Sequence, residues 1–324
     1  MSQHLNPQVQ QGPPYLPQVW MSGGLATAST DIPISAVFLA LFVAGAATHM
    51  TIFQKNKRRG HKFIFSALLF GFCMARITTL VVRIVSITRP RSISTAIAAQ
   101  ILVLAGVLLL FIINLIFAQR IIRAQHPHFG WHRVFSALFI GLYVLIGATL
   151  VMTITVTVMT FYTLNPNTRR IARGIQLYAV TYLGFVATLP LPMVLIGVVL
   201  PKKTRVEKFG SGRFRTKIFV LLSATMLLAF GAWYRAGSSY MNPVPRTQPL
   251  PAYHHKAAFY IVNFGVEIIV VWLYVLLRID RRFITPNGAK GERSYAAGPT
   301  NTLAKEPESA IIHTEEETFD YQPQ

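Results

Sequence analysis

Cysteine, acid and charge within the apolar runs are all scarce in this chain. Its 324 residues hold 1 Cys and 11 Asp or Glu against 31 Lys or Arg. A lone Cys73 excludes an intramolecular disulfide. Met1 to Thr30 has no Lys or Arg and no short apolar core followed by a small-residue cleavage site, so no cleavable signal peptide is expected. No Asn-x-Ser/Thr sequon occurs, which removes the commonest mark of a glycosylated ectodomain. What fills the chain instead is seven long apolar runs, interrupted by three fully charged side chains, Arg76, Arg83 and Glu267.

A bilayer core about 30 Å thick needs roughly 20 apolar residues of helix. Runs of about that length or longer occupy residues 32–53, 63–87, 95–118, 134–163, 175–200, 218–234 and 257–277, the sixth being the shortest. In hydrocarbon the backbone must satisfy its own hydrogen bonds, and these runs lack the apolar–polar alternation of a barrel strand. The expected fold is therefore all-α, a polytopic membrane protein of seven transmembrane helices. Residues 1–31 form a short extracytoplasmic tail in this reading, and residues 32–277 the membrane domain. Residues 278–324 start basic and end acidic, at Glu315, Glu316 and Glu317 among Pro, Gly, Ser and Thr, and are expected to be a disordered cytosolic tail. At the start of the first span, Asp31 suits a helix cap and Pro33 the first turn.

Orientation follows from charge. Along an N-outside path, one side carries five Lys or Arg in residues 54–62, three in 119–133, seven in 201–217 and six after Leu277, twenty-one altogether. The opposite side carries none before the first span, two in residues 88–94, three in 164–174 and three in 235–256, eight altogether. Cytoplasmic loops carry the excess, so the N-terminus is expected outside and the C-terminus in the cytosol. The net charge of +20 is spread over short loops rather than gathered in a soluble basic domain, which argues against nucleic acid and toward anionic lipid head groups as partners. The tail, with Ser309 and Thr314 beside acids, is also a candidate contact for a cytosolic protein, adjustable by phosphorylation.

Glu267 is the one acid within a predicted span, and a charge at the bilayer centre costs about 2.5–3.5 kcal/mol. Arg76 lies about 19 Å from one face and Glu267 about 15 Å from the other, at 1.5 Å per helical residue. Their depths nearly match, so Arg76 and Glu267 form a candidate intramembrane pair. A structural clamp, a neutral Glu267 bonded to a neighbour such as Asn263, and a transport or proton-relay role all fit that pattern. Arg83, two turns beyond Arg76, is expected to snorkel outward without a special role. Pro190 and Pro192 interrupt the fifth span and mark a candidate hinge. Gly45, Gly106, Gly141, Gly147 and Gly184 suit close helix packing, and the Thr-rich fourth span suits hydroxyls bonded back to their own helix, across to a neighbour, or toward a polar cavity. His49, His61, His126, His128 and His132 gather at one membrane face, but no Cys or Asp accompanies them and Arg120, Arg123 and Arg133 repel a cation, so solvated loop histidines are expected. No nucleophile–base pair, phosphate loop or metal-ligand spacing is present; no catalytic, cofactor-binding or metal residue is assigned, and an enzyme is not expected.

The strings DIPISAVFLALFVAGAATHM from Asp31, RGHKF from Arg59, FCMAR from Phe72, NLIFAQRIIRAQHPHFGW from Asn114 and RIDRRFITPNG from Arg278 resemble a fungal family of uncharacterised multi-pass membrane proteins, a domain of unknown function. That resemblance covers most of residues 12–288 and implies a fungal source and seven helices, with no substrate or cofactor. The topology is also similar, more remotely, to fungal lipid-translocating exporters linked to toxic lipid resistance. Standard G-protein-coupled receptors fit poorly. No acid precedes Arg120, the seventh span has no Asn-Pro followed by Tyr, and it has no Lys for a retinal Schiff base. A transporter of a lipid or small molecule is the leading expectation, with a receptor-like or signalling scaffold as the alternative and an intramembrane enzyme last. Span length licenses crossing and does not choose between plasma membrane and endomembrane.

Overall fold

The computed structural model describes residues 12–295 apart from 16, 61–62, 90–91, 202–205, 287, 290 and 293. Among the described residues, twelve α-helices follow one another, no strand forms, and a single β-bridge joins Val19 to Pro245. Seven stretches are long and apolar enough to cross a membrane. They are α1 (Ala28–Arg58); α2 (Ile64–Thr88); α3 (Ile93–Gly106) with α4 (Leu108–Gln125); α6 (Arg133–Tyr162); α7 (Pro166–Thr188) with α8 (Pro190–Val199); α9 (Phe214–Tyr240); and Lys256–Leu276, which joins α10 (Lys256–Tyr260), a π turn (Ile261–Gly265) and α11 (Val266–Leu276). The short α5 (Pro127–Gly130) and α12 (Ile279–Arg282) sit at one end of the bundle.

The spans start and stop where side chains replace missing helical partners. Asn165 Oδ1 accepts from the Asn167 N–H at 2.9 Å, with Pro166 in the first turn of α7. His132 Nδ1 accepts from the Val134 N–H at 3.3 Å at the start of α6. Lys55, Lys57 and Arg58 occupy the last turn of α1, where positive charge complements the helix dipole. The helices run past the apolar pattern at several ends. The fifth span begins at Pro166 rather than 175, the sixth runs from Phe214 to Tyr240 rather than 218–234, and the third ends at Gln125 rather than 118. Helical hydrogen bonding continues through polar turns, whereas an apolar window ends at the first of them.

The centre of the bundle is α4, of whose 18 residues 12 are buried. It packs against α2, α8 and α9, while α1 lies along α2 and α11, and α7 lies between α6 and α9. By contrast α6 leaves Val134, Leu138, Ile140, Val144 and Val151 exposed, an apolar outer face suited to acyl chains. Gly45 brings α1 close to Val271 and Cys73, and Gly184 lies against the Trp233 ring. Gly141 and Gly147 have no neighbour of this kind and face open space, so packing does not explain them. In α6, Thr153, Thr155 and Thr160 donate to Thr149, Val151 and Thr157 carbonyls within their own helix.

Pro190 and Pro192 begin α8, separated from α7 by Leu189 alone. Leu189 keeps helical dihedral angles and its N–H reaches the Phe185 carbonyl at 2.9 Å, so the interruption is a single-residue break. A second break, at Val107, divides the third span.

The expected disorder from residue 278 needs correction. Ile279, Phe283 and Tyr295 are buried, Phe283 stacks on Phe117 at 4.2 Å, and Arg120 donates to the Phe283 carbonyl at 2.5 Å. Composition alone hides this, because the segment needs no core of its own when the bundle end supplies one. Ser211 N–H donates to the Arg281 carbonyl at 2.7 Å and Tyr295 N–H to Glu207 at 3.2 Å, closing the same end with the 206–212 segment. Lys217 donates to the Phe209 carbonyl there. The acidic end of the tail lies outside the described residues.

Candidate functional site

Arg76 sits midway along α2 and Glu267 in the first turn of α11. The structure brings them together: Nε donates to Oε2 and Nη2 to Oε1, each at 2.5 Å, with both residues buried. This bidentate fork is the geometry that best offsets the cost of burying both charges. Arg76 Nη1 has other work, donating to the Leu102 and Val103 carbonyls at 3.2 and 3.0 Å. Those carbonyls belong to the last turn of α3, where the break at Val107 leaves acceptors short of helical donors and the helix dipole is negative. Gly106 makes the approach feasible, since a Cβ there would lie 2.6 Å from Arg76 Cζ. The rings of Phe72 and Phe264 flank the guanidinium at 5.7 and 5.6 Å.

A third charge joins them that the sequence reading missed. Arg235 projects from α9 with Nη1 3.9 Å from Glu267 Oε1 and 3.3 Å from Asn263 Oδ1. Hydropathy places it in a loop because the sixth apolar run ends at Tyr234, although α9 continues to Tyr240. Asn263 lies in the π turn and its Nδ2 donates to the Phe259 carbonyl at 2.8 Å. Asn263 thus bonds Arg235, while Glu267 takes Arg76. Local π turns cluster at functional positions, because the inserted residue re-aims its neighbours. One carboxylate therefore lies between two guanidiniums, at the level where the third span breaks and the seventh changes winding.

Toward the other end of α2 lies a second cluster. Asp31 Oδ1 accepts from Arg83 Nη2 at 3.2 Å and from the Tyr260 hydroxyl at 2.9 Å. Its Oδ2 accepts from Lys256 Nζ at 2.6 Å and from the Thr27 N–H at 2.8 Å. Thr27, not Asp31, is the N-cap residue of α1, and Asp31 reaches back one turn to it. Arg83 also lies 4.2 Å over the Phe259 ring, so the expectation that it merely snorkels is corrected. Asp31 and Lys256 fall at the margins of apolar runs, and no spacing rule announces a partner across 225 positions.

The N-terminal segment covers this end. Trp20 N–H and Nε1 donate to the Val244 and Gln248 carbonyls at 2.9 and 2.8 Å, and Gly23 N–H donates to the His254 carbonyl at 3.0 Å. Burial holds the His254 imidazole below its ordinary range, and its Nδ1 has no partner among the described residues.

The remaining candidates do not converge. His126 Nε2 lies 2.8 Å from the Gly197 carbonyl, His128 faces Glu292 at 2.6 Å, His132 caps α6, and His49 is buried in α1; His61 lies outside the described residues. Among the described residues, no group of three or more His, Cys, Asp or Glu side chains is placed to hold a metal ion.

Seven helical stretches long and apolar enough to cross a membrane, with a buried charge cluster between them, fit the class of multi-pass membrane proteins. Residues 211–284 match the model of a protein family of unknown function, DUF3112. The matched stretch runs from the turn before α9 through α12, and so includes Arg235, Asn263 and Glu267 but not Arg76. The chain matches neither a curated protein nor a solved structure.

Proposed function

We propose that this protein moves a lipid or other small molecule across its membrane, with Glu267 and its two guanidiniums as the charged centre. The observation that carries this reading is the position of Arg235. Arg76 is saturated by Glu267 and by the α3 carbonyls, whereas Arg235 stands 3.9 Å from Glu267 with an amide as its nearer partner. A clamp needs one cation; the second leaves a surplus positive charge inside the bundle, suited to an anionic group on a passing molecule. Broken helices around a midplane charge are a recurring feature of transporters, and two interruptions meet at this level.

The loop-charge asymmetry supports an outside N-terminus and a cytosolic C-terminus, and the sequence resemblance supports a fungal source. A receptor-like scaffold is the second reading. It draws on the packed end formed by residues 206–212 and 278–295, which links the sixth and seventh spans to one another and to α4, and on the tail as a contact for a cytosolic protein.

The test is a thermal-shift series on the detergent-purified full chain with phospholipids, sterols and carboxylate metabolites at two pH values. A compound that raises the melting temperature of the native protein but not of Arg235→Gln, with the variant itself folded, supports the transport centre, and a flux assay in proteoliposomes follows. Equal shifts in both proteins, or no flux of the bound compound, would sink the proposal.

A further inference from the structure

At the end of the bundle opposite Asp31, a groove of about 510 Å³ opens between the last turns of α1 and the end of the seventh span. Its upper wall is built from Ala47, Ile52 and Val275, together with Thr48 and Thr51. The two Thr hydroxyls donate to the Ala44 and Ala47 carbonyls, each at 2.8 Å, which leaves their methyl groups and an effectively apolar surface. The lower rim carries Lys55, Arg59, Arg278 and Arg281. One acid answers them: Asp280, whose Oδ1 accepts from Arg278 Nε at 3.3 Å and whose Oδ2 accepts from Asn56 at 3.1 Å. Among the described residues, Lys55, Arg59 and Arg281 have no ion-pair partner, so the rim holds three uncompensated positive charges.

The backbone contributes as well. Arg278 adopts φ 49°, the left-handed region that a non-glycine residue rarely enters, and it is the one non-glycine residue there among those described. Strain of this kind persists where surrounding contacts hold it, and its effect here is to turn the chain so that Arg278 and Arg281 both reach the groove.

We propose that this groove binds one anionic phospholipid, with the head-group phosphate among Lys55, Arg59, Arg278 and Arg281 and an acyl chain along Ala47, Ile52 and Val275. Charge and position both select this occupant. From Lys55 to Ala47 the helix rises about 12 Å at 1.5 Å per residue, which fits within one leaflet about 15 Å thick. Cations stand just beyond the apolar stretch of α1, at the depth of phosphates, and apolar wall replaces them deeper in. A free phosphate would leave the wall unused. The proposal rests on the bundle spanning a bilayer but not on transport, because the groove shares no residue with the Glu267 cluster.

The experiment titrates dioleoylphosphatidic acid, with dioleoylphosphatidylcholine as control, into the detergent-purified full chain and follows lipid adducts by native mass spectrometry. One saturable phosphatidic acid adduct is expected. Its apparent affinity should fall tenfold or more in the double variant Arg59→Gln, Arg281→Gln, whose side chains are exposed and whose fold is checked by retention of helical circular dichroism. Thr51→Trp, which keeps every cation and fills the wall, should also lose the adduct. Equal binding of phosphatidylcholine, or unchanged affinity in both variants, overturns the proposal. So does displacement by inorganic phosphate at concentrations similar to those of the lipid, which would assign the rim to a free anion. Tighter lipid binding on deleting Asn301–Gln324 would mean that the acidic tail is the native occupant and overturn it likewise.

Discussion

Two carboxylates in this bundle each stand between two cations, and α2 supplies one cation to each, Arg76 to Glu267 and Arg83 to Asp31. Around Asp31 the remaining acceptor positions are filled by the Tyr260 hydroxyl and the Thr27 N–H, and Arg83 and Lys256 keep partial exposure. That cluster behaves as a tie between helix ends, with solvent able to replace part of what a mutation removes. Glu267 accepts two hydrogen bonds from Arg76, which is fully buried between the Phe72 and Phe264 rings and has a glycine notch and two backbone carbonyls, while Arg235 keeps 18% exposure. Equal charge counts therefore carry unequal consequences, because the dielectric surroundings differ.

The contrast can be broken by substitution. Glu267→Gln removes the acid that balances the fully buried Arg76 guanidinium, and a loss of about 3–5 kcal/mol is expected, the usual result of leaving a buried charge uncompensated; the midpoint of detergent-induced unfolding measures it. Gly106→Ala forces a methyl group against the Arg76 guanidinium without altering any charge. An overpacking cost of about 1–3 kcal/mol follows in the same assay. Asp31→Asn keeps a short polar acceptor at the helix start and is expected to cost about 0.5–2 kcal/mol, in the range of a lost cap. If Asp31→Asn proves as damaging as Glu267→Gln, exposure is not what separates the clusters.

The smallest effect concerns pH at the N-terminal cover. His254 binds its proton less readily when folded than its ordinary value of 6.5 implies, because burial disfavours the cation. The folded cover is therefore favoured above that value and loses stability as pH falls below it. Protection of the Trp20 and Gly23 amides, taken relative to the base-catalysed exchange of an open amide at the same pH, should fall on acidification, and His254→Asn should remove that dependence. Protection that does not change with pH in the native chain would leave the cover free of titratable control.

How much of this was legible in advance depended on whether the signal was local. Seven spans follow from apolar runs, since hydrocarbon leaves the backbone no partner but itself. Matching depths place Arg76 near Glu267 because both lie far inside runs of known rise. Arg235, Asp31 and Lys256 escaped because they sit at run margins, where hydropathy cannot separate the end of a helix from the start of a loop. The role of Gly106 escaped for a different reason: its neighbour is a side chain from another helix. Residues 278–295 read as a tail because the surface that buries Phe283 and Tyr295 comes from α4 and the 206–212 segment.

Neighbours along the chain dictate seven helical spans and the scarcity of charge within them. Which charges meet, which helix breaks are answered by a partner's donor, and where an uncompensated cation is left are settled by the packing of the spans. Those outcomes depend on distances between segments far apart in the chain, and a carboxylate's partner is chosen by proximity and desolvation, not by position in the sequence.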